Sequence, residues 1–158
     1  MRVSETYASA TLDEIKAALD GGKLVLYAVG RPPSADHAIT RSTALATFTF
    51  ATPAFGPDDA DGALKPLFEA PVLAETVGTA GWARASGADG STVADFSVGP
   101  GAAEVKLSSN SATPGFPLEV IAIKTSLPAE TVEWSKTEFG HVFVTNSDNA
   151  YRKLSVRG

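Results

Sequence analysis

Thr11 to Asp20 reads TLDEIKAALD, with its apolar residues at Leu12, Ile15, Ala18 and Leu19. That spacing places them on one face of a helix. Thr11 stands at the cap position, and Glu14, three residues on, completes a capping box. Gly21-Gly22 stops the helix, because glycine takes the left-handed conformation at little cost. So short a helix is not stable alone, and it is expected to cover an end or edge of something larger. After it the period falls to two. Lys23 to Val29, KLVLYAV, reads as a short strand bounded by glycines. Arg31 to Ala38, RPPSADHA, reads as a loop, since two adjacent prolines cannot continue a ladder. Leu45 to Ala51, LATFTFA, sets Leu45, Thr47 and Thr49 on one face and Ala46, Phe48 and Phe50 on the other. Thr52 to Pro66 is rich in Gly, Pro and Asp and predicts a long polar excursion. A strand is predicted over Val72 to Val77.

Strands are next predicted over Gly81 to Ser86 and Thr92 to Val98, around an Asp89-Gly90 turn whose two central positions need positive φ. Thr92, Ala94, Phe96 and Val98 share one face of the second strand; Val93, Asp95 and Ser97 share the other. Ala83 and Ala85 point away from Trp82 and Arg84, and their small size lets another layer approach. Further strands are predicted at Ala103 to Leu107, Pro117 to Thr125, Glu130 to Lys136 and His141 to Thr145. In PLEVIAIKT, Leu118, Val120 and Ala122 lie on one side, with Ile121 and Ile123 near the other. Closely spaced strands after one helix, with no repeat and no dividing linker, predict an all-β chain. The expected form is an antiparallel, jelly-roll-like β-sandwich in one domain, 1–158, with the short helix inside an N-terminal segment, 1–22.

The tail Asn149 to Gly158, NAYRKLSVRG, mixes apolar and basic residues without an acid. It reads either as a last strand or frayed end, or as an arm that orders on a neighbouring subunit by strand addition. In the second reading Tyr151 is the anchor, and Arg152, Lys153, Leu154 and Arg157 are partner contacts.

Composition narrows the function. A chain of 158 residues, 44% hydrophobic and 20% charged, is long enough for one real core. A net charge of −5 opposes nucleic-acid binding, which needs a basic surface. No cysteine means no disulfide, thiol nucleophile or thiolate metal site. No apolar run reaches the roughly 20 residues that span a bilayer. The first residues lack an apolar h-region, so the expectation is synthesis in the host cytoplasm without a signal peptide.

The search for chemistry returns little. The nucleophile-elbow pattern GxSxG is absent. His37 and His141, the two histidines, are far apart and read as a loop residue and a strand start. The loop at 57–62, PDDADG, misses a calcium loop: Pro57 stands where a ligand belongs, Phe68 where the closing glutamate belongs, and Glu69 is one residue late. A looser site on Asp58, Asp59 and Asp61 competes with a solvated polar loop, and the latter is favoured. Glu119, Glu130, Glu133 and Glu138 read as members of alternating strands rather than a glycosidase pair. Gly87, Gly90, Gly99 and Gly101 read as turn glycines. Trp82 and Trp134 read as core or interface first and sugar platforms second. The expectation is no catalytic residue, no metal and no cofactor.

The order DGGKLVLY, LATFTFATPAFG, TVGTAGWARASGADGSTVADFSVG and SATPGFPLEVIAI resembles a family of small β-rich virion structural proteins of tailed phages and prophages. The likeness lies in a LATLTF-AFG-like strand and a GTA-W-R-DG hairpin, and it runs from Leu12 to Ile123. It implies a capsid cement or decoration protein, located in the virion, that binds the major capsid protein and copies of itself, as a homo-oligomer. It implies no nucleic-acid and no membrane partner. A head–tail or tail accessory protein and a carbohydrate-binding β-sandwich module are the alternatives.

Overall fold

The computed structural model describes residues 1–58 and 63–124, together with the backbone of 131–133, 141–145 and 152–155. The chain divides into two compact units, Met1–Ser126 and Leu127–Gly158. In the first unit β1 (Arg2–Val3) and a 3-10 turn (Glu5–Tyr7) precede α1 (Leu12–Ala18). Then come β2 (Lys23–Tyr27), β3 (Ala44–Asp58), β4 (Ala63–Phe68), β5 (Val72–Leu73) and β6 (Gly78–Thr79). The hairpin β7 (Trp82–Ser86) and β8 (Thr92–Gly99) follows, and after it β9 (Val105–Leu107), β10 (Ser111–Ala112), β11 (Pro117–Leu118) and β12 (Val120–Lys124). The second unit contains β13 (Thr131–Glu133), β14 (His141–Thr145) and β15 (Arg152–Ser155), an antiparallel three-stranded sheet in that order.

The capping box forms as its residues predict. Thr11 N–H donates to Glu14 Oε2 at 2.7 Å, and Glu14 N–H donates to Thr11 Oγ1 at 3.2 Å. Leu19 caps the helix end, and Gly21, two residues on at φ +66°, turns the chain away from it. Ile15 and Leu19 are buried in the main hydrophobic cluster, which gives so short a helix its tertiary support.

The chain is all-β with one short N-terminal helix, as expected, but its main sheet closes where a two-layer jelly roll was anticipated. Strands β8, β7, β2, β3, β4, β12 and β9 are neighbours in that order. β9 then returns to β8 by a parallel pairing of Val98 with Val105 and Gly99 with Lys106, so seven strands form a barrel. The other pairings around it are antiparallel. Closure removes the free edges that an open sheet must protect.

Two rows of cross-strand neighbours show how the interior is filled. Phe48, Leu24, Ala85 and Ala94 form one row; Ala46, Leu26, Ala83 and Phe96 form the next. All eight are buried. Each row holds one phenylalanine, one leucine and two alanines, with the phenylalanine at opposite ends. Large side chains thus face small ones, and a narrow interior reaches solid-like packing. The close approach expected at Ala83 and Ala85 is realised here.

Four local expectations are corrected. First, the excursion expected over Thr52 to Pro66 is mostly strand. β3 continues to Asp58 and β4 begins at Ala63, with register shifts between Phe50 and Phe55 and between Phe55 and Asp58. Pro53 falls inside the first irregular stretch, and bulges are where strands tolerate proline. Second, Val72 to Val77 yields only β5, because the chain leaves it after Leu73. Third, a bulge between Val120 and Ala122 separates Ile121, which is exposed, from Ile123, which is buried opposite Leu64 and Val105. Fourth, only Gly90 has positive φ in the hairpin turn. Gly90 N–H donates to Gly87 O and Gly87 N–H to Ser91 O, each at 2.9 Å, a three-residue loop with glycine at the left-handed position.

Candidate contact surface

β4 and β12 pair only where Leu64 meets Ile123 and Ala63 meets Lys124. Beyond those residues β4 stays with β3 and β12 with β9, so the barrel wall opens. The opening is an apolar cleft of about 490 Å³, walled by Phe48, Pro66, Phe68, Val72, Leu118 and Val120. Its aromatic wall is built by ring contacts: Phe68 lies 4.9 Å from Phe48 and 5.1 Å from Phe50, centroid to centroid. Lys65, Glu69 and Glu119 add charge to the lining.

The β5–β11 ribbon borders this cleft. Val72 faces Leu118 and Leu73 faces Pro117 across it. Val72, Leu118 and Pro117 line the cleft, and Leu73 does not. Leu73 is 53% exposed, and Phe116, next to Pro117, is 65% exposed. Phe116 is tied to the ribbon by its carbonyl, which accepts from Ala74 N–H at 2.9 Å. The ribbon is therefore apolar, with Leu73 and Phe116 exposed beside the cleft. Apolar exposure at neighbouring residues makes this a candidate contact surface.

The outer face of the β7–β8 hairpin carries a second feature. Arg84 and Asp95 stand directly opposite each other. Arg84 Nε donates to Asp95 Oδ1 at 2.7 Å and Nη2 donates to Oδ2 at 2.9 Å, a bidentate fork. Asp95 is fully buried. Arg84 Nη1 also donates to the His37 carbonyl at 2.8 Å, which straps the 30–42 loop over the hairpin. Beside it Tyr27 stacks on Trp82, centroids 4.5 Å apart and planes 17° apart. Trp82 Nε1 donates to the Val29 carbonyl at 3.2 Å. Burial raises the Tyr27 phenol pKa; the Arg84 charge works against that shift and Asp95 adds to it. At the hairpin tip, hydrogen bonds from the Ser91 hydroxyl and then its N–H lower the Asp89 pKa.

Trp82 is 2% exposed and so cannot serve as a sugar platform; the side chain of Trp134 lies outside the described residues. His37 is held through Nδ1 by Ser34 Oγ at 2.7 Å, and His141 opens β14 in the other unit. The acidic loop falls at the end of β3, where Asp59, Asp61 and the Asp58 side chain lie outside the described residues. Among the described residues no three His, Cys, Asp or Glu side chains group to hold a metal. Glu119 lines the apolar cleft and Glu133 ends β13, while Glu130 and Glu138 lie outside the described residues. Of the tail contacts, Arg152, Lys153 and Leu154 lie in β15, opposite Val144, Phe143 and Val142. Tyr151 and Arg157 lie outside the described residues. Sequence reasoning missed the Arg84–Asp95 pair, although a signal existed: a hairpin centred on Asp89-Gly90 sets residue 84 opposite residue 95.

No family model, curated protein or solved structure matches this chain. Among the described residues no helix is long and apolar enough to cross a membrane.

Proposed function

We propose that this chain is a structural protein of a tailed-phage particle, of the capsid cement or decoration kind, which binds the major capsid protein and copies of itself. The order of strand and turn motifs from Leu12 to Ile123 supports the virion part of this reading. The observation that carries the contact part is the β5–β11 ribbon, with Leu73 and Phe116 exposed beside an apolar cleft. A cement protein needs a firm body with an apolar face, and a closed barrel meets that need as a jelly-roll sandwich does. Repeated over a particle, modest contacts of this size multiply into firm attachment.

The test uses empty heads of the phage or prophage whose genes neighbour this one, prepared without this protein. Purified full-length chain is expected to cosediment with them. Leu73→Asp combined with Phe116→Asp is expected to weaken binding by about tenfold or more, since burying a charge at an interface core is unfavourable. Both side chains are exposed, so the circular dichroism spectrum should not change. Failure of the unmodified chain to bind heads overturns the reading, as does full binding by the double variant.

A further inference from the structure

The cleft between β4 and β12 and the exposed ring of Phe116 adjoin each other. Pro117 lines the cleft, and Phe116 precedes it in the chain. The lining is apolar and largely enclosed: Phe48, Pro66, Leu118 and Val120 are buried, and Phe68 and Val72 are half-buried. Phe116 is mostly exposed and packs on no other ring among the described residues. One patch of surface thus carries an apolar knob and, beside it, an apolar hole.

Three charged residues line the same cleft: Lys65, Glu69 and Glu119. All three are exposed, and none of them forms an ion pair among the described residues. The rim therefore carries both signs, and neither is neutralised within the fold. Such a rim suits a partner that also carries both signs, because a partner of one sign meets repulsion from part of it. A second copy of this chain meets that requirement, since it presents the same lysine and the same two glutamates.

We propose that the cleft receives Phe116 of a second copy, in a two-fold dimer. A two-fold contact joins one patch to itself, so a knob must find its hole within the same patch. Here knob and hole adjoin at Pro117. An axis through that part of the surface carries each Phe116 over the other copy's cleft, and both rings are buried at once. The cleft, about 490 Å³, has room for a benzyl group between the rings and aliphatic side chains that wall it. Buried aromatic side chains are the usual anchors of such contacts. Lys65 of each copy then meets the glutamates of the other. This inference rests on the proposed function only in taking the β5–β11 ribbon as a contact surface, and it assigns that surface to the contact between copies.

The experiment is analytical ultracentrifugation of the full-length chain in the absence of phage heads. A concentration-dependent equilibrium between monomer and dimer is expected. Phe116→Asp is expected to raise the dimer dissociation constant about thirtyfold, the loss of one interface anchor. Val29→Asp places the same charge at an exposed apolar residue that does not line the cleft, and is expected to leave the dimer unchanged. Lys65→Glu in one chain, and Glu69→Lys with Glu119→Lys in another, each set like charges against one another and are expected to weaken self-association. An equal mixture of these two variants is expected to restore the dimer, which a misfolded chain would not do. A chain that stays monomeric up to about 1 mM overturns the proposal. So do Phe116→Asp dimerising as well as the unmodified chain, and a mixture that associates no better than its components. Loss of head binding by Phe116→Asp with its dimer intact assigns the cleft to the capsid subunit and also overturns it. A dimer that meets these criteria in a chain that does not bind heads upholds this contact and counts against the capsid reading alone.

Discussion

Asp95 is a carboxylate with no access to solvent. Such a group is tolerated only when its oxygens are filled, and Arg84 fills both. The same guanidinium reaches the carbonyls of His37 and Ser34, so one pair joins the hairpin to the loop above it. Asp95→Asn leaves the arginine charge buried without its partner. It is expected to cost about 3–5 kcal/mol, read from the denaturant midpoint. Replacing both residues with apolar side chains of similar size should cost far less. A loss of under about 1 kcal/mol for Asp95→Asn would show that the pair carries little of the fold. The facing positions of the two residues follow from the hairpin centre. Their burial does not, because the loop that covers them lies more than 40 residues from Arg84 in the chain.

The helix illustrates the opposite case. Its cap, its apolar face and its stop are all written in TLDEIKAALDGG, and each interaction spans four residues or fewer. What places it is Gly22, where a Cβ would lie 2.0 Å from the Ser86 carbonyl oxygen. Backbone there cannot yield as a flexible side chain would. Gly22→Ala is expected to destabilise the fold by about 1–3 kcal/mol, an overpacking cost. Gly101→Ala, with nothing within 4 Å of its Cβ, should stay within about 0.5 kcal/mol. Thermal melting of the two variants side by side checks this, and equal melting temperatures would refute the close approach. The strands were harder to bound than the helix. β3 runs on through Pro53, and the bulge at Ile121 flips a face, because a ladder is set by the partner strand and not by its own residues alone.

The barrel closes through two residue pairs, Val98 with Val105 and Gly99 with Lys106. Every strand of the barrel lies within the first unit, and so does the main buried cluster. In the second unit β13, β14 and β15 pair with one another. A chain of residues 1–126 is therefore expected to fold alone, with a β-type circular dichroism spectrum and one cooperative denaturant transition. Loss of that transition would show that the barrel depends on residues beyond 126.

The helix with its cap, the LATFTF alternation, the hairpin and its glycine turn were determined by neighbours in the chain, because capping, alternation and turn chemistry act over a few residues. The all-β class followed from them. Barrel closure, the pairing of the β5–β11 ribbon and the hydrogen bonds of Arg2, Arg31 and Arg84 that tie the 30–42 loop to its surroundings were decided by folding. Each depends on contacts between distant segments: β9 against β8 and β12, Pro117 against Leu73, and residues 2, 31 and 84 against residues 32, 95 and 37. Residue type says what each group can bond, and only the closed sheet says which groups meet, because register and crossover are fixed by the whole set of strands competing for one interior.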